Sequence, residues 1–210
     1  MICTVHGCSD PRFKGPLESM FEDRKRLFVD LLKWDLAVTQ DRWEIDAFDR
    51  EDAIYLIALD QTGDHIGSLR LLPSDQPHIL STLFPELCPD GIPAGPDTFE
   101  VTRLCLPVRH GAAERLRIRN ALITAMVDHA RDAGITRLTG VVEAGFLAQV
   151  LDMGWRCARL GPSRRFGGAA LGAFCIEIDA ATPALLAANG IYAGAAVRRN
   201  PVQETKYERA

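Results

Sequence analysis

The stretch TFEVTRLCLP, Thr98 to Pro107, reads as a β-strand. Phe99, Val101, Thr102, Leu104, Cys105 and Leu106 are aromatic, β-branched or apolar and fall on both faces, the pattern of a strand in the middle of a sheet. Yet it carries a carboxylate, Glu100, and a guanidinium, Arg103. A buried charge survives only when it is paired and hydrogen-bonded. On a regular strand, residues 100 and 103 point to opposite faces. A site shared by the two therefore requires a β-bulge, expected near Val101–Thr102.

Working outward, IYLIALDQTGDHIGSLRLLP before this strand reads as an antiparallel hairpin turning at Gln61–Asp64, and SDQPHILSTLFPELCPDGIPAGPD as an irregular crossing segment. Residues 16–39 carry apolar residues at helical spacing, among them Leu17, Phe21, Phe28 and Leu31. TQDRWEIDAFDREDA is long and acidic for a loop, which marks it as functional. On the other side, residues 112–133 form a helix stopped by Gly134, with Leu116, Ile118, Leu122, Ala125, Met126 and His129 on its apolar side. ITRLTGVV is a strand, EAGFLAQVLDMG a short helix, WRCARLG a strand, PSRRFGGAALG a glycine-rich loop, AFCIEIDA a strand, and residues 183–190 a short helix. This order gives an α/β/α sandwich around a mixed, mostly antiparallel sheet. Residues 1–197 are read as one domain and 198–210 as a loose tail.

Composition sets limits. The chain has 210 residues, 47% hydrophobic and 25% charged, with a formal net charge of -4. Nothing in this balance suggests a nucleic-acid or membrane partner, and no apolar run reaches the ~18 residues a membrane span needs. The six cysteines form no CxxC pair, which fits reduced thiols in a cytosolic protein better than a disulfide framework or zinc site. No signal peptide is evident in MICTVHGCSDPRFKG. No Walker or dinucleotide fingerprint appears, and the five histidines are scattered.

Charged residues recur where apolar ones belong. Arg24 lies between Phe21 and Phe28 at helical spacing, Arg70 lies in GSLRLLP, and Asp46, Asp49 and Asp52 punctuate EIDAFDRED. With Glu100 and Arg103 they balance one another in charge, as a buried site requires.

FEDRKRLFVDLLKWDL, WEIDAFDREDAIYLIALD, GSLRLLP, PHILSTLFPEL and FEVTRLCLP together resemble the LuxI-type acyl-homoserine-lactone synthases, in order and spacing, over residues 20–107. Residues 112–180 resemble that family in their pattern of strands and helices. The resemblance implies a fold similar to GNAT N-acyltransferases. It also implies a cytoplasmic enzyme that joins S-adenosylmethionine to an acyl chain carried on acyl carrier protein or coenzyme A. The products are a homoserine lactone used as a quorum-sensing signal and methylthioadenosine. No metal or cofactor is expected, S-adenosylmethionine being a substrate. The family's invariant residues fall on Arg24, Phe28, Trp34, Asp46, Asp49, Arg70, Glu100 and Arg103. Phe99 departs from the pattern, a Trp being frequent there.

The implied chemistry sets roles. An α-amine of pKa ~8 must lose a proton before it attacks a thioester, and Glu100 is the expected base, directly or through a water, with binding of the ammonium as its alternative role. At an ordinary carboxylate pKa the mismatch would cost about 5 kcal/mol, so burial must raise it. Arg24 or Arg103 suits the substrate carboxylate. Asp46 and Asp49 either receive its cationic part or hold the arginines, and Phe28 and Trp34 offer ring faces to the sulfonium or adenine. Phe84, Met126, Val142, Phe146, Leu151 and Trp155 are candidates for an acyl slot, each also a good core residue. Arg156, Arg159, Arg164 and Arg165 form a basic cluster suited to an acidic carrier protein. Two other functions stay open on the residues alone: a GNAT-like N-acyltransferase using acyl-CoA on another amine, and a non-catalytic binder.

Overall fold

A computed structural model describes residues 1–192; the expected tail, 198–210, lies outside the described residues, as does the end of the expected domain. In chain order the elements are β1 (Ile2–His6), α1 (Lys14–Arg24), β2 (Val38–Thr39), β3 (Trp43–Glu44), β4 (Ile54–Leu59), β5 (His65–Pro73), α2 (Ile79–Leu83), β6 (Thr98–Cys105), α3 (Ala112–Asp132), β7 (Arg137–Glu143), α4 (Ala144–Leu151), β8 (Arg156–Arg159), β9 (Arg164–Phe166), β10 (Ala169–Glu177) and α5 (Thr182–Ala188). The main sheet runs β1-β4-β5-β6-β7-β10-β8, with β9 also paired to β10. Among the described residues only β6 and β7 run parallel; the other pairs are antiparallel. The mixed, mostly antiparallel sandwich is as expected.

The two faces of the sheet carry different cores. Leu56, Leu69, Leu71, Leu138, Phe174 and Ile176 pack with α3 and α4. The opposite face of the same strands presents Tyr55, Ile57, Leu59 and Leu72 to Leu17, Met20 and Phe21 of α1. Strand alternation makes this division, because neighbours such as Tyr55 and Leu56 point to opposite sides. β6 and β7 pair only from Thr98↔Arg137 to Glu100↔Thr139, and β7 continues to Glu143 paired with β10 alone. The sheet therefore opens between its two central strands.

Four local expectations change. The helix expected over 16–39 is α-helical only to Arg24. It widens into a π-helix over Lys25–Leu31 and ends near Lys33, whose φ of 59° breaks the winding. The glycine-rich loop PSRRFGGAALG is instead a hairpin: Phe166 faces Ala169 across Gly167–Gly168, and Gly167 takes the φ of 56° that so tight a turn demands. Leu116, expected on the apolar side of the long helix, is exposed. The N-terminal residues, given no element from sequence, add the edge strand β1. No helix of the described residues is long and apolar enough to cross a membrane.

Candidate active site

The β6 bulge stands two residues later than expected. Ser68 faces Cys105 and Arg70 faces Thr102, so Leu69 alone spans Arg103 and Leu104. Arg103 is the extra residue, in the left-handed region at φ 52°. The insertion switches the parity of the strand. Phe99 and Val101 pack toward α3 before it, and Leu104 does so after it. Arg103 is turned onto the α1 face, where it joins groups from three other parts of the chain.

Those groups close a ring of six alternating charges. Arg24, at the end of α1, donates from Nε to Glu44 Oε2 at 2.5 Å and from both Nη atoms to Asp49 at 2.8 and 2.9 Å. Arg70 grips Asp46 with both Nη atoms at 2.7 and 3.0 Å, lies 2.7 Å from Asp49, and donates from Nε to Thr102 at 3.0 Å. Arg103 donates from Nη2 to Glu44 at 3.0 Å and to Asp46 at 2.7 Å. Each acid thus joins two arginines and each arginine two acids. Three guanidinium and three carboxylate groups cancel, which is what makes their burial tolerable.

Local turn chemistry sets the acids in place. The Phe48 amide donates to Asp46 Oδ1 and the Asp46 amide to Asp49 Oδ2, both at 2.8 Å, so the acidic loop folds around its own carboxylates. Tyr55 OH adds a bond to Asp49 at 2.9 Å. Burial alone would raise the Asp49 pKa, but Arg24 and Arg70 hold it far below the usual carboxylate range. Tyr55 is pushed well up by burial and by the Asp49 charge.

Glu44, which is absent from the sequence-based candidates, is fully buried. A signal was present: in WEID, Glu44 and Asp46 are two residues apart, on one side of an extended segment. Both meet Arg103. Asp52, which looked equivalent to Asp46 and Asp49, pairs instead with Arg50 near the surface.

Glu100 stands beside the ring and takes no part in it. It lies two residues from Thr102 on β6, fully buried, and accepts from the backbone amides of Ile79 and Leu80 at 2.8 and 2.9 Å. Burial pushes its pKa up to about 7, against the lowering effect of those amides and of Arg70 and Arg103. The rise that base chemistry requires is thus present.

The ring has one accessible edge. Arg24 and Arg70 side chains are 1% exposed, whereas Arg103 is 10% and Asp46 13% exposed. Phe28, in the π-helical turn, stacks on Trp34 at 5.0 Å with planes 10° apart, and the Arg103 guanidinium lies 5.8 Å from the Phe28 ring centre. Phe28 is buried, while Trp34 is 38% exposed.

The six acyl-slot candidates do not gather in one place. Met126, Trp155, Val142, Phe146 and Leu151 belong to the apolar core on the α3 side. Phe84 lies in the smaller clusters of the opposite face, edge-on to Phe166 at 5.0 Å. Of the basic cluster, Arg156 pairs with Asp179, while Arg159, Arg164 and Arg165 are exposed around β8 and β9.

The chain and its fold have known relatives. The model of the family described as "Autoinducer synthase" matches residues 11–183. The chain belongs to the autoinducer synthase family. An acyl-homoserine-lactone synthase of Ralstonia nicotianae is 33% identical over 174 residues, covering 80% of this chain and 84% of the relative. Among solved structures, the CoA-dependent acyl-homoserine lactone synthase BjaI, solved with SAM and isopentyl-CoA, superposes with a TM-score of 0.82 at 26% identity, covering 95% of this chain and 93% of that one. A putative N-acetyltransferase from Lactobacillus plantarum shares the fold, with a TM-score of 0.56 at 15% identity, covering 85% of this chain and 99% of that one. Family membership and the GNAT-like fold, both expected from the motifs, are borne out.

Proposed function

We infer that this autoinducer synthase makes N-acyl-homoserine lactone from S-adenosylmethionine and an acyl thioester, with methylthioadenosine as the second product. The single observation that carries this reading is a neutral ring of buried ion pairs, open at Arg103 and Asp46, beside a carboxyl group raised to about 7. A zwitterion with an extra cationic sulfonium fits such an edge. The Arg103 fork meets the substrate carboxylate, and Asp46 the ammonium. Arg24, Arg70, Glu44 and Asp49 hold this edge in position and are spoken for by one another. Trp34, with Phe28 stacked behind it, gives a ring face to the sulfonium or adenine.

Glu100 takes the proton. A pKa of about 7 lies within roughly one unit of an α-amine at ~8, so the transfer costs about 1 kcal/mol in place of 5. Its two amide bonds leave one lone pair on each oxygen for the amine or a bridging water. The freed amine attacks the thioester carbonyl and the thiol leaves. The substrate carboxylate then displaces methylthioadenosine from its own γ-carbon, a ring closure that needs the chain held in position and a good leaving group, which sulfonium already is.

The acyl chain runs into the opening between β6 and β7, toward Met126, Val142, Phe146 and Trp155. Phe84, across the sheet, serves the mouth of that opening or the core alone. Acyl-CoA is the donor favoured by the likeness to BjaI; an acyl carrier protein would meet the exposed Arg159, Arg164 and Arg165.

Incubation of the purified protein with S-adenosylmethionine and either acyl-CoA or acyl carrier protein thioesters tests this. Mass spectrometry should find a lactone and methylthioadenosine in equal amounts. Acylation of an amine without methylthioadenosine would favour a plain N-acyltransferase instead.

A further inference from the structure

A second buried polar chain lies on the same sheet face, and the chemistry above makes no use of it. His65, at the start of β5, approaches Asp23 of α1 through Nδ1 at 2.7 Å and Ser68 Oγ through Nε2 at 3.0 Å. All three residues are buried: Asp23 2%, His65 0% and Ser68 1% exposed. Arg109, from the turn after β6, clamps Asp23 with both Nη atoms at 2.6 and 2.8 Å and also donates to the His65 carbonyl. Arg26 adds a bond to Asp23 at 3.1 Å.

These partners fix the proton positions. Asp23 between two guanidinium groups is a carboxylate, so it accepts from His65 Nδ1–H, and the ring's other nitrogen accepts from the Ser68 hydroxyl. The Ser68 hydroxyl is engaged by His65 within this chain and the chemistry above does not call on it, which leaves the chain a positioning task.

Its end point is informative. Ser68 faces Cys105 on the far side of the bulge, as Arg70 faces Thr102 on the near side. The near side is tied by the bond from Arg70 Nε to Thr102. On the far side the Ser68 hydroxyl meets His65 on the same strand, His65 meets Asp23, the helical residue immediately before Arg24, and Arg109 carries the link from Asp23 and the His65 carbonyl to the segment after β6. Between the two ties sits Arg103, a non-glycine residue in the left-handed region, which persists only where its surroundings over-determine it. Apolar side chains would fill this space at lower desolvation cost; a fully satisfied polar chain adds direction.

We propose that Asp23, His65 and Ser68, clamped by Arg109, are positioning residues that hold the β6 bulge and so keep Arg103 in the geometry that S-adenosylmethionine meets. The functional half of this rests on the reading given under Proposed function; the structural half does not.

The test uses Ser68→Ala, which removes the last link, and Arg109→Gln, made at a side chain that is 44% exposed and so spares the core. Amide hydrogen exchange and substrate kinetics are measured on the full chain. In both variants exchange over residues 101–105 should quicken about five-fold relative to β4 and α3, the scale of one lost hydrogen bond. The KM for S-adenosylmethionine should rise by about the same factor, with that for the acyl thioester unchanged. A general loosening with both KM values unmoved would mark the chain as structural only and overturn the proposal. So would unchanged exchange over 101–105. Should the native protein make no lactone, the function proposed above fails, and the exchange result still decides whether the chain holds the bulge.

Discussion

Asp49 and Glu100 are both buried carboxylates on one face of one sheet, and they are driven in opposite directions. Asp49 sits inside the ring with Arg24 and Arg70 against it, and they hold its pKa far below the usual carboxylate range. Glu100 sits on β6 two residues from Thr102, accepts hydrogen bonds from two backbone amides, and is raised to about 7. Burial is common to both. What differs is whether a full positive charge reaches the carboxylate or stops at its neighbour. One region spends its charges on each other and becomes a rigid, neutral support; the other keeps a carboxyl group poised for proton transfer.

The contrast can be broken most severely from the ring. Asp49→Asn leaves two buried guanidinium groups short of a partner and should cost about 3–5 kcal/mol of unfolding free energy in urea. A loss below 1 kcal/mol would show that the ring relaxes around gaps and is no rigid support.

Glu100 should give a pH signature of the opposite kind. Its folded pKa lies above its ordinary value of 4.5, so its contribution to stability is full below about pH 4.5 and is lost as the pH rises to about 7. Over that window the native protein should lose up to about 3 kcal/mol that a Glu100→Gln variant does not lose. Parallel stability curves for the two proteins would place the carboxyl in an ordinary environment.

The same variant should lower kcat about 100-fold, the lower range for removing a general base. The native kcat profile should rise through an apparent pKa near 7 as Glu100 becomes able to accept a proton. Full turnover by Glu100→Gln would remove it from the chemistry.

At the open edge, Arg103→Lys replaces a fork by a point charge. The KM for S-adenosylmethionine should rise about ten-fold with little change for the acyl donor. The smallest effect is expected at Trp34, already 38% exposed: Trp34→Ala should weaken S-adenosylmethionine binding about three-fold by calorimetry. Equal effects at Arg103 and Trp34 would mean that the ring face, and not the charge, anchors the substrate.

Much of this site was legible in the chain. Arg24, Arg70, Glu100 and Arg103 stood out because they interrupt apolar patterns, and an interrupted pattern announces a charge with a partner. Glu44 did not stand out, because it sits in an acidic loop where one more carboxylate looks ordinary. Asp52 misled for the same reason. The need for a bulge followed from strand alternation, but its position did not, since shifting it between Val101–Thr102 and Arg103–Leu104 changes the pairing register and leaves the local sequence pattern intact. The arginines and glycines of PSRRFGGAALG suit either a loop or an edge hairpin, and only pairing with β10 decides between them.

The central run of strands and helices, the mixed sheet and the motifs of the autoinducer synthase family were legible in the residues themselves, because hydrophobic period and turn chemistry act over a few neighbours at a time. Which charge meets which, where β6 bulges, and whether a buried acid keeps or loses its proton were decided in three dimensions. Each of those depends on distances between segments some 20 to 60 residues apart in the chain, and no local pattern records them.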